Sequence, residues 1–462
     1  MSGNLHTFLE KSELKAFDAE HKRKLLYNIR KYDATVVEGK KQYADLELVR
    51  KKVKNIKWKA IENLDKYLIE FETNFTANGG KVIWANDAKE ARQEILKILK
   101  KKEAKTIVKA KSMVSEEIHL NDFLAENHIE SIETDLGEYI QQLDGEPPYH
   151  IVTPAMHKSK DDVANLFHEK LGTSLELTAQ ELTLVARENL RKKYLEAEVG
   201  FSGANFILPD IGGVAVTENE GNARLSTSFP KTHIVIVGIE KMLTSVNDLQ
   251  TFWPLLATFG TGQKVTVYNS IFSGPKKEIE DNGPEEMYVI LLDNGRSKLL
   301  AEEDKREALY CIRCGACLNA CPVYKNIGGH TYGSTYSGPI GSIITPHYDG
   351  MEQFKHLSQA SSLCGNCTEV CPVRINLHTL LLYNRKEAVD EGYTTFSEKT
   401  IWKLWRRAML NRKTMDRFNG NIKSLAVKTL FKNSWGKRRA PLAFAPKSFS
   451  KLWIEKHGDK GE

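Results

Sequence analysis

The chain has 462 residues, of which 41% are hydrophobic and 27% charged, a balance typical of a soluble globular protein. This length is enough for roughly two to four domains. No run approaches the ~18 apolar residues of a membrane helix, and the first residues lack the apolar core of a signal peptide, so we expect a cytoplasmic protein without a transmembrane segment.

The first two predicted segments are a helical stretch and an α/β domain. Residues 1–65 are highly charged and helical in pattern, and we expect surface helices that pack on the α/β domain. Residues 66–295 alternate amphipathic helices with apolar runs that predict strands: 81–85, 106–110, 150–154, 232–241, 264–271 and 287–293. This alternation is typical of a largely parallel sheet, whose ligands bind beyond the carboxyl ends of the strands.

All seven cysteines lie in a third predicted segment, residues 296–395, which also contains helical stretches such as 305–321. Clustered cysteines in a chain expected to be cytosolic indicate a metal site rather than disulfides. The first four cysteines and Pro322 have the C-x2-C-x2-C-x3-C-P spacing of bacterial ferredoxins. A structural zinc site prefers two separated C-x2-C pairs and four ligands, so two Cys-Pro endings favour iron–sulfur clusters.

The second cysteine group is one residue short, because Ser361 stands where a first cysteine is expected. In two-cluster ferredoxins the last cysteine of each run ligates the other cluster. Applied to this chain, the rule assigns the ligands as Cys311, Cys314, Cys317 and Cys371 for cluster 1, and Cys321, Cys364 and Cys367 for cluster 2. This crossed assignment uses all seven cysteines and leaves one corner of cluster 2 without a thiolate.

Two interpretations of that corner stay open. Cluster 2 is either a [4Fe–4S] cluster whose fourth ligand is Ser361, water or a group from a partner, or a [3Fe–4S] cluster. Two clusters held together indicate an electron relay, since such centres pass electrons without forming bonds to substrate.

The stretch 205–238 is the most distinctive part of the α/β region. Its Gly-rich, polar sequence beside a buried strand could hold an anionic ligand through Glu218, Asn219, Glu220, Asn222 and Arg224. The simpler interpretation is a hairpin turn, since Asn and Gly favour turns. Lys109, Lys111 and Ser112, at another strand end, are candidates for the same pocket.

Neither a dinucleotide fingerprint nor a phosphate-binding loop is present in the sequence, so no nicotinamide or flavin site is predicted. The final segment, residues 396–462, holds 17 Lys and Arg against 5 Asp and Glu, together with several tryptophans. It contains no recognisable nucleic-acid-binding module, and we expect a solvated face or a docking surface for an acidic partner subunit.

Several of these stretches resemble the lactate utilisation protein B family, the iron–sulfur subunit of a bacterial L-lactate oxidation system. The matching sequences are KAKSMVSEEI, ETDLGEYIQQL, GGVAVTENEGNARLSTSFPKTHIVIVGIEK, CIRCGACLNACPVYKNIGGHTYGSTYSGPIG and LCGNCTEVCPVRINL. The resemblance implies an α/β domain related to sugar-phosphate isomerases and CoA transferases, followed by an all-α, ferredoxin-like domain with two [4Fe–4S] clusters. It also implies electron transport during oxidation of L-lactate to pyruvate, alongside two sister subunits and an electron acceptor.

Three functions are weighed on this basis. The first is an electron-transfer subunit of an L-lactate dehydrogenase system, which is not an enzyme on its own. The second is an oxidoreductase that binds an organic acid at the open iron of cluster 2. The third is a redox-sensing regulator that uses the basic tail.

Overall fold

The computed structural model of the protein describes residues 3–430 and 440–458. The chain divides into two compact units, Met1–Ala388 and Val389–Glu462. The first unit takes in residues of the predicted segments 1–65, 66–295 and 296–395, whose apolar side chains share one core. Part of the predicted basic tail, including Trp435, lies outside the described residues.

Four helices precede the first strand: α1 (Gly3–Ala16), α2 (Ala19–Lys40), α3 (Leu46–Glu62) and α4 (Leu64–Ala77). Asp18 and Asp45 start α2 and α3, because each carboxylate accepts a backbone N–H from the first helical turn. Leu25 and Ile29, four residues apart on one face of α2, are completely buried. The same apolar core contains residues of the cysteine region, so α2 connects the amino-terminal helices to that region.

The described strands form two sheets: β1 (Lys81–Ala85), β2 (Thr106–Lys109), β3 (Glu130–Glu133), β4 (Val199–Gly203), β5 (Phe206–Leu208), β6 (Gly213–Glu218), β7 (Thr232–Gly238), β8 (Tyr268–Phe272) and β9 (Glu286–Leu292). Six of them make a parallel sheet in the order β1-β9-β7-β4-β2-β3, and β5, β6 and β8 make a small antiparallel sheet. Strand β7 is buried along its whole length, as expected of a central strand in a parallel sheet.

The helices of the α/β region are α5 (Ala88–Lys101), α6 (Met113–Glu117), α7 (Leu120–Glu126), α8 (Leu136–Asp144), α9 (Lys160–Leu171), α10 (Ala179–Glu196), α11 (Asn222–Ser228) and α12 (Leu249–Thr261). They connect the strands of the parallel sheet, which gives the predicted α/β architecture. The predicted fold class, an α/β domain followed by a helical region, is confirmed.

Two strand predictions are wrong in detail. Residues 150–154 form turns, because the ring Nδ1 of His150 accepts the N–H groups of Val152 and Thr153 at 3.1 and 3.2 Å. These amides are therefore not free for a strand ladder. The predicted buried strand 264–271 starts only at Tyr268, and it is a partly exposed strand of the small sheet rather than a buried one.

The cysteine region is helical: α13 (Arg296–Ala301), α14 (Ala316–Ala320), α15 (Tyr324–Ile327), α16 (Gly338–Tyr348), α17 (Met351–Gln359), α18 (Asn366–Glu369) and α19 (Leu377–Asp390). The described part of the basic tail holds α20 (Phe396–Met409), α21 (Arg412–Met415), α22 (Gly420–Leu430) and α23 (Phe449–His457). None of the described helices combines the length and the apolar character needed to cross a lipid bilayer.

Candidate metal centre and adjoining cavity

The first cysteine loop starts where a short 3-10 helix ends at Tyr310. Arg313 and Gly315 both have left-handed backbone conformations, with φ of 60° and 78°, before α14 begins. A Cβ on Gly315 would also come within 3.1 Å of His150 and Val152, so glycine fits this crowded position best. The predicted continuous helix over residues 305–321 is therefore wrong, and the loop that replaces it directs several thiols to one place.

The second cysteine loop repeats the geometry of the first. Leu363 and Gly365 have φ of 53° and 81° before α18 begins, as Arg313 and Gly315 do before α14. In the first loop the N–H of Arg313 donates to the Sγ of Cys311 at 3.4 Å, and in the second the N–H of Leu363 donates to the Oγ of Ser361 at 3.1 Å. Ser361 therefore occupies the structural position of the missing cysteine.

The structure brings the seven cysteines together as two neighbouring sets. The cysteines that line one small buried cavity are Cys311, Cys314, Cys317 and Cys371. Burial raises the pKa of Cys321 and of Cys367, and the nearby thiols add to it: Cys364 acts on Cys321, and Cys321 and Cys364 act on Cys367. Cys367 also acts on buried Cys317, so the two sets are adjacent. This grouping is compatible with the crossed assignment, which stays a prediction.

The two sets differ in their access to solvent. Apolar side chains such as Ile340 and Ile375 wall the cavity of the first set. In the second set Cys364 is exposed. Cys311 of the first set is half-buried and Cys321 and Cys367 of the second set are buried, so it is Cys364 that brings the second set to the protein surface.

An arginine from α3 holds the carboxyl-terminal part of the second loop. Arg50 donates from Nε and Nη2 to the carbonyl oxygen of Cys371, at 3.1 and 2.8 Å, and from Nη2 to that of Glu369 at 2.7 Å. The N–H of Ile375 donates to the Sγ of Cys371 at 3.4 Å. The position of this thiol therefore depends on contacts with residues far away in the sequence.

The residues of the first set fit an iron–sulfur group by their charge as well as by their placement. Burial raises the pKa of Cys371 to about 12, so these thiols ionise readily only when a metal ion binds them. The buried cations that interact electrostatically with Cys311 are Lys57, Lys241 and Arg313, and the buried carboxylate of Glu240 faces all three. This surplus of positive charge suits a cluster that four thiolates make negative.

A second, larger cavity lies beyond the carboxyl ends of β2, β4 and β7. Its volume is ≈ 370 Å³. The side chains that argue for a binding role include Lys111, Ser112, Ser202, Lys241, Arg313 and Tyr336. Because Arg313 and Tyr336 belong to the cysteine region, this region closes one side of the α/β cavity.

Four of the five residues predicted for a ligand loop line this cavity: Glu218, Asn219, Glu220 and Asn222. Arg224 is not among the lining residues, and its guanidinium lies 5.3 Å from the ring centre of Tyr268. The carboxylate of Glu218 accepts the N–H groups of Ala223 and Arg224 at the start of α11, and that of Glu220 accepts the N–H of Leu136 at the start of α8. These two acids therefore cap helices.

Of the candidates near β2, Lys111 and Ser112 line the cavity and Lys109 does not. Lys109 is completely buried and pairs with Glu133 at 2.7 Å and Glu116 at 3.1 Å. Lys241 was not predicted from the sequence, where its only signal is that it follows the buried strand β7. Arg313 was not predicted either, because the C-x2-C spacing specifies no residue type between the first two cysteines.

Comparison with protein families gives two matches. The LUD domain model matches residues 68–292, and a 4Fe-4S dicluster domain model matches residues 307–375. The dicluster match covers all seven cysteines and supports iron–sulfur clusters at this site.

Curated relatives match most of the chain. A lactate utilization protein B from Bacillus cytotoxicus is 46% identical over 351 residues, which cover 76% of this chain and 74% of the relative. A protein of the same name from Bacillus licheniformis is 44% identical over 371 residues, which cover 80% and 78%. A solved DUF162 family protein from Deinococcus radiodurans is 12% identical with a TM-score of 0.28, covering 50% of this chain and 98% of that one.

Proposed function

The chain belongs to the lactate utilization protein B family. We therefore propose that it is an iron–sulfur electron-transfer protein that acts in the oxidation of L-lactate to pyruvate. The observation that carries the proposal is that four cysteines line one cavity while the other three lie next to them. The dicluster domain match supports clusters at these residues. When bound, such clusters take up and return single electrons.

The proposed ligands are those of the crossed assignment. Cluster 1 is held by the four cysteines that line the buried cavity, and cluster 2 by Cys321, Cys364 and Cys367. For the fourth corner of cluster 2 we favour Ser361, because its Oγ accepts a backbone N–H as the Sγ of Cys311 does in the equivalent loop. Both clusters are proposed to be [4Fe–4S], and a [3Fe–4S] form of cluster 2 is the competing outcome.

The protein's own residues support electron transfer in three ways. Arg50 fixes the loop that carries Cys371. Lys57, Lys241 and Arg313 place positive charge beside Cys311, and this charge favours the more negative, reduced form of cluster 1. Exposed Cys364 places cluster 2 where a partner protein can approach it.

We further propose that the protein relays electrons between sister subunits and an acceptor. The described part of the basic tail supports a docking role, because α20 exposes Trp402 and Trp405 beside Arg406 and Arg407. Aromatic and arginine side chains are enriched at protein interfaces, and the positive charge favours an acidic partner.

The alternative function, an organic-acid oxidoreductase that works at the open corner of cluster 2, has less support. The α/β cavity is lined by Arg313 of the first cysteine loop, and none of Cys321, Cys364 and Cys367 is among its described lining residues. A bound acid would therefore lie beside cluster 1, which has four thiolate ligands. No described feature favours the redox-sensing regulator.

Purified full-length protein tests the proposed relay. The protein is reconstituted anaerobically and mixed with L-lactate and an artificial electron acceptor, with and without the sister subunits. We expect acceptor reduction, and EPR signals of reduced clusters in this chain, only when the sister subunits are present. Acceptor reduction by this chain alone would show that it is an enzyme in its own right.

A further inference from the structure

Two cations line the α/β cavity without the partners that buried charges normally have. The side chain of Arg313 is 9% exposed, and its Nη1 has no hydrogen-bond partner among the described residues. Its Nη2 has one long contact, 3.5 Å to Glu240. Lys241 is 6% exposed, and the described residues provide neither a hydrogen bond nor an ion pair to its ammonium group.

Two other buried lysines show how unusual Lys241 is. Lys109 pairs with two carboxylates and also donates to Ser115 at 2.9 Å. Lys57 donates to the carbonyl oxygens of Glu240 and Met242 at 2.6 and 3.0 Å. An unpaired buried ammonium costs several kcal/mol in general, so a fold that satisfies its other lysines is expected to satisfy this one too.

The acidic residues at the cavity do not provide this partner. Glu218 and Glu220 accept backbone N–H groups at helix starts, and so does Asp135, which caps α8. Burial and the charge of Arg313 lower the pKa of Lys241 to about 8, a value at which it still carries a proton at neutral pH. Positive charge therefore faces the cavity from the side of the cysteine region.

The two cations differ in how closely they approach the proposed cluster 1. Arg313 lines both the thiol cavity and the α/β cavity, so a cluster can balance its charge. Lys241 lines the α/β cavity but is not among the residues that line the thiol cavity. Lys241 therefore adds positive charge to the α/β cavity as well as to the surroundings of Cys311, and an anion in that cavity would give it a direct partner.

We propose that the α/β cavity binds a small carboxylic acid, whose carboxylate contacts Lys241 and Arg313. An arginine and a lysine suit a carboxylate, because the guanidinium offers paired donors and the ammonium adds a point charge. The volume of ≈ 370 Å³ leaves room for the rest of a small molecule. Val152, Ser112 and Ser202 are also among the residues that line the cavity.

Arg313 gives the bound acid a direct neighbour in the first cysteine loop. A negative charge in the cavity partly neutralises Arg313 and so disfavours reduction of cluster 1. This coupling rests on the proposed function, because it requires cluster 1. Binding of the acid does not, and it can be measured independently.

The experiment uses the full chain, anaerobically reconstituted, and isothermal titration calorimetry. The probes are L-lactate, pyruvate, succinate and inorganic phosphate. The variants are Lys241→Met, the charge-preserving Lys241→Arg, and Lys231→Met as the matched control. Lys231 precedes β7 as Lys241 follows it, and it is an exposed residue at the opposite end of the sheet.

We expect at least one carboxylic acid to bind the native protein, Lys241→Met to weaken its binding at least tenfold, and Lys241→Arg and Lys231→Met to retain most of it. No heat from any of the three acids, or equal affinity in native protein and Lys241→Met, would overturn the proposal. Binding of phosphate alone would contradict the carboxylate assignment. If Lys241→Met does not fold, Lys241→Gln replaces it in the same comparison with Lys241→Arg and Lys231→Met.

The coupling has its own readout. We expect the bound acid to change the EPR spectrum and lower the reduction potential of cluster 1, and the change to disappear in Lys241→Met. If calorimetry shows binding while the spectrum and potential stay unchanged, the binding site stands and the coupling to cluster 1 is refuted. If the sister-subunit assay fails while the acid still binds, the relay function fails and the binding site stands.

Discussion

Replacing Arg50 tests whether the amino-terminal helices hold the proposed centre together. Arg50→Met removes three hydrogen bonds to the loop that carries Cys371 but keeps an apolar side chain of similar length. At about 1 kcal/mol each, these bonds stabilise the closed loop by about 3 kcal/mol, so its open population should rise on the order of 100-fold. Because Cys371 is the proposed ligand from the second loop to cluster 1, that cluster should lose iron first.

The assay follows iron release from reconstituted protein to a chelator, by the loss of cluster absorbance under anaerobic conditions. When reclosing is fast, the release rate follows the open population of the loop. We expect one phase, worth about half of the iron, to accelerate strongly in Arg50→Met. The control is Lys52→Met, an exposed lysine on the same helix. Equal release rates in Arg50→Met and native protein would refute the assigned role of Arg50.

Three further predictions concern single residues. Ser361→Cys should give cluster 2 a fourth thiolate and slow the loss of iron from it, whereas Ser361→Ala should change the EPR spectrum of cluster 2. If both variants behave like native protein in these measurements, Ser361 is not a ligand. Glu286→Gln should cost about 1 kcal/mol of unfolding free energy at pH 7, measured by urea denaturation, because Lys102 and Lys81 lower the pKa of Glu286 to about 2. A carboxylate whose pKa is lower in the folded than in the unfolded protein stabilises the fold at pH values above its unfolded pKa, and this effect is lost as the pH falls to its folded pKa. The difference in unfolding free energy between native protein and Glu286→Gln should therefore shrink as the pH falls from about 4.5 towards 2. A difference that does not depend on pH would contradict the pairing. Gly200→Ala should lower the melting temperature, because a Cβ at this position would lie 1.8 Å from the backbone oxygen of Ser226 on α11. An unchanged melting temperature would show that α11 can move away from the sheet.

The sequence predicted the fold class because apolar runs and helical periodicity are local signals. The predicted strands at 81–85, 106–110 and 232–241 correspond to β1, β2 and β7 to within a few residues. The strand prediction at 150–154 was wrong because the His150 side chain accepts the backbone N–H groups of Val152 and Thr153. No local sequence pattern shows this contact. The short strands β3, β4, β5 and β6 were missed, because three to six residues give too little alternation to recognise.

The site was predictable where spacing alone carries the information. The cysteine pattern and the crossing rule give two sets of thiols; the described structure places the four cysteines of the first set around one cavity, and the ligand assignment itself stays a prediction. Arg50 and Lys241 could not be predicted, because they reach the site from α3 and from the segment after β7. Arg313 stands between cysteines, yet only its left-handed backbone and its place between two cavities reveal its role.

The crossed ligand assignment is the central claim, and four alanine variants test it most directly. EPR spectra and iron content are compared for Cys311→Ala, Cys371→Ala, Cys321→Ala and Cys364→Ala. If the clusters are crossed, Cys371→Ala loses the same cluster as Cys311→Ala, and Cys321→Ala loses the same cluster as Cys364→Ala. If instead Cys321→Ala matches Cys311→Ala and Cys371→Ala matches Cys364→Ala, each loop holds its own cluster and the account is contradicted.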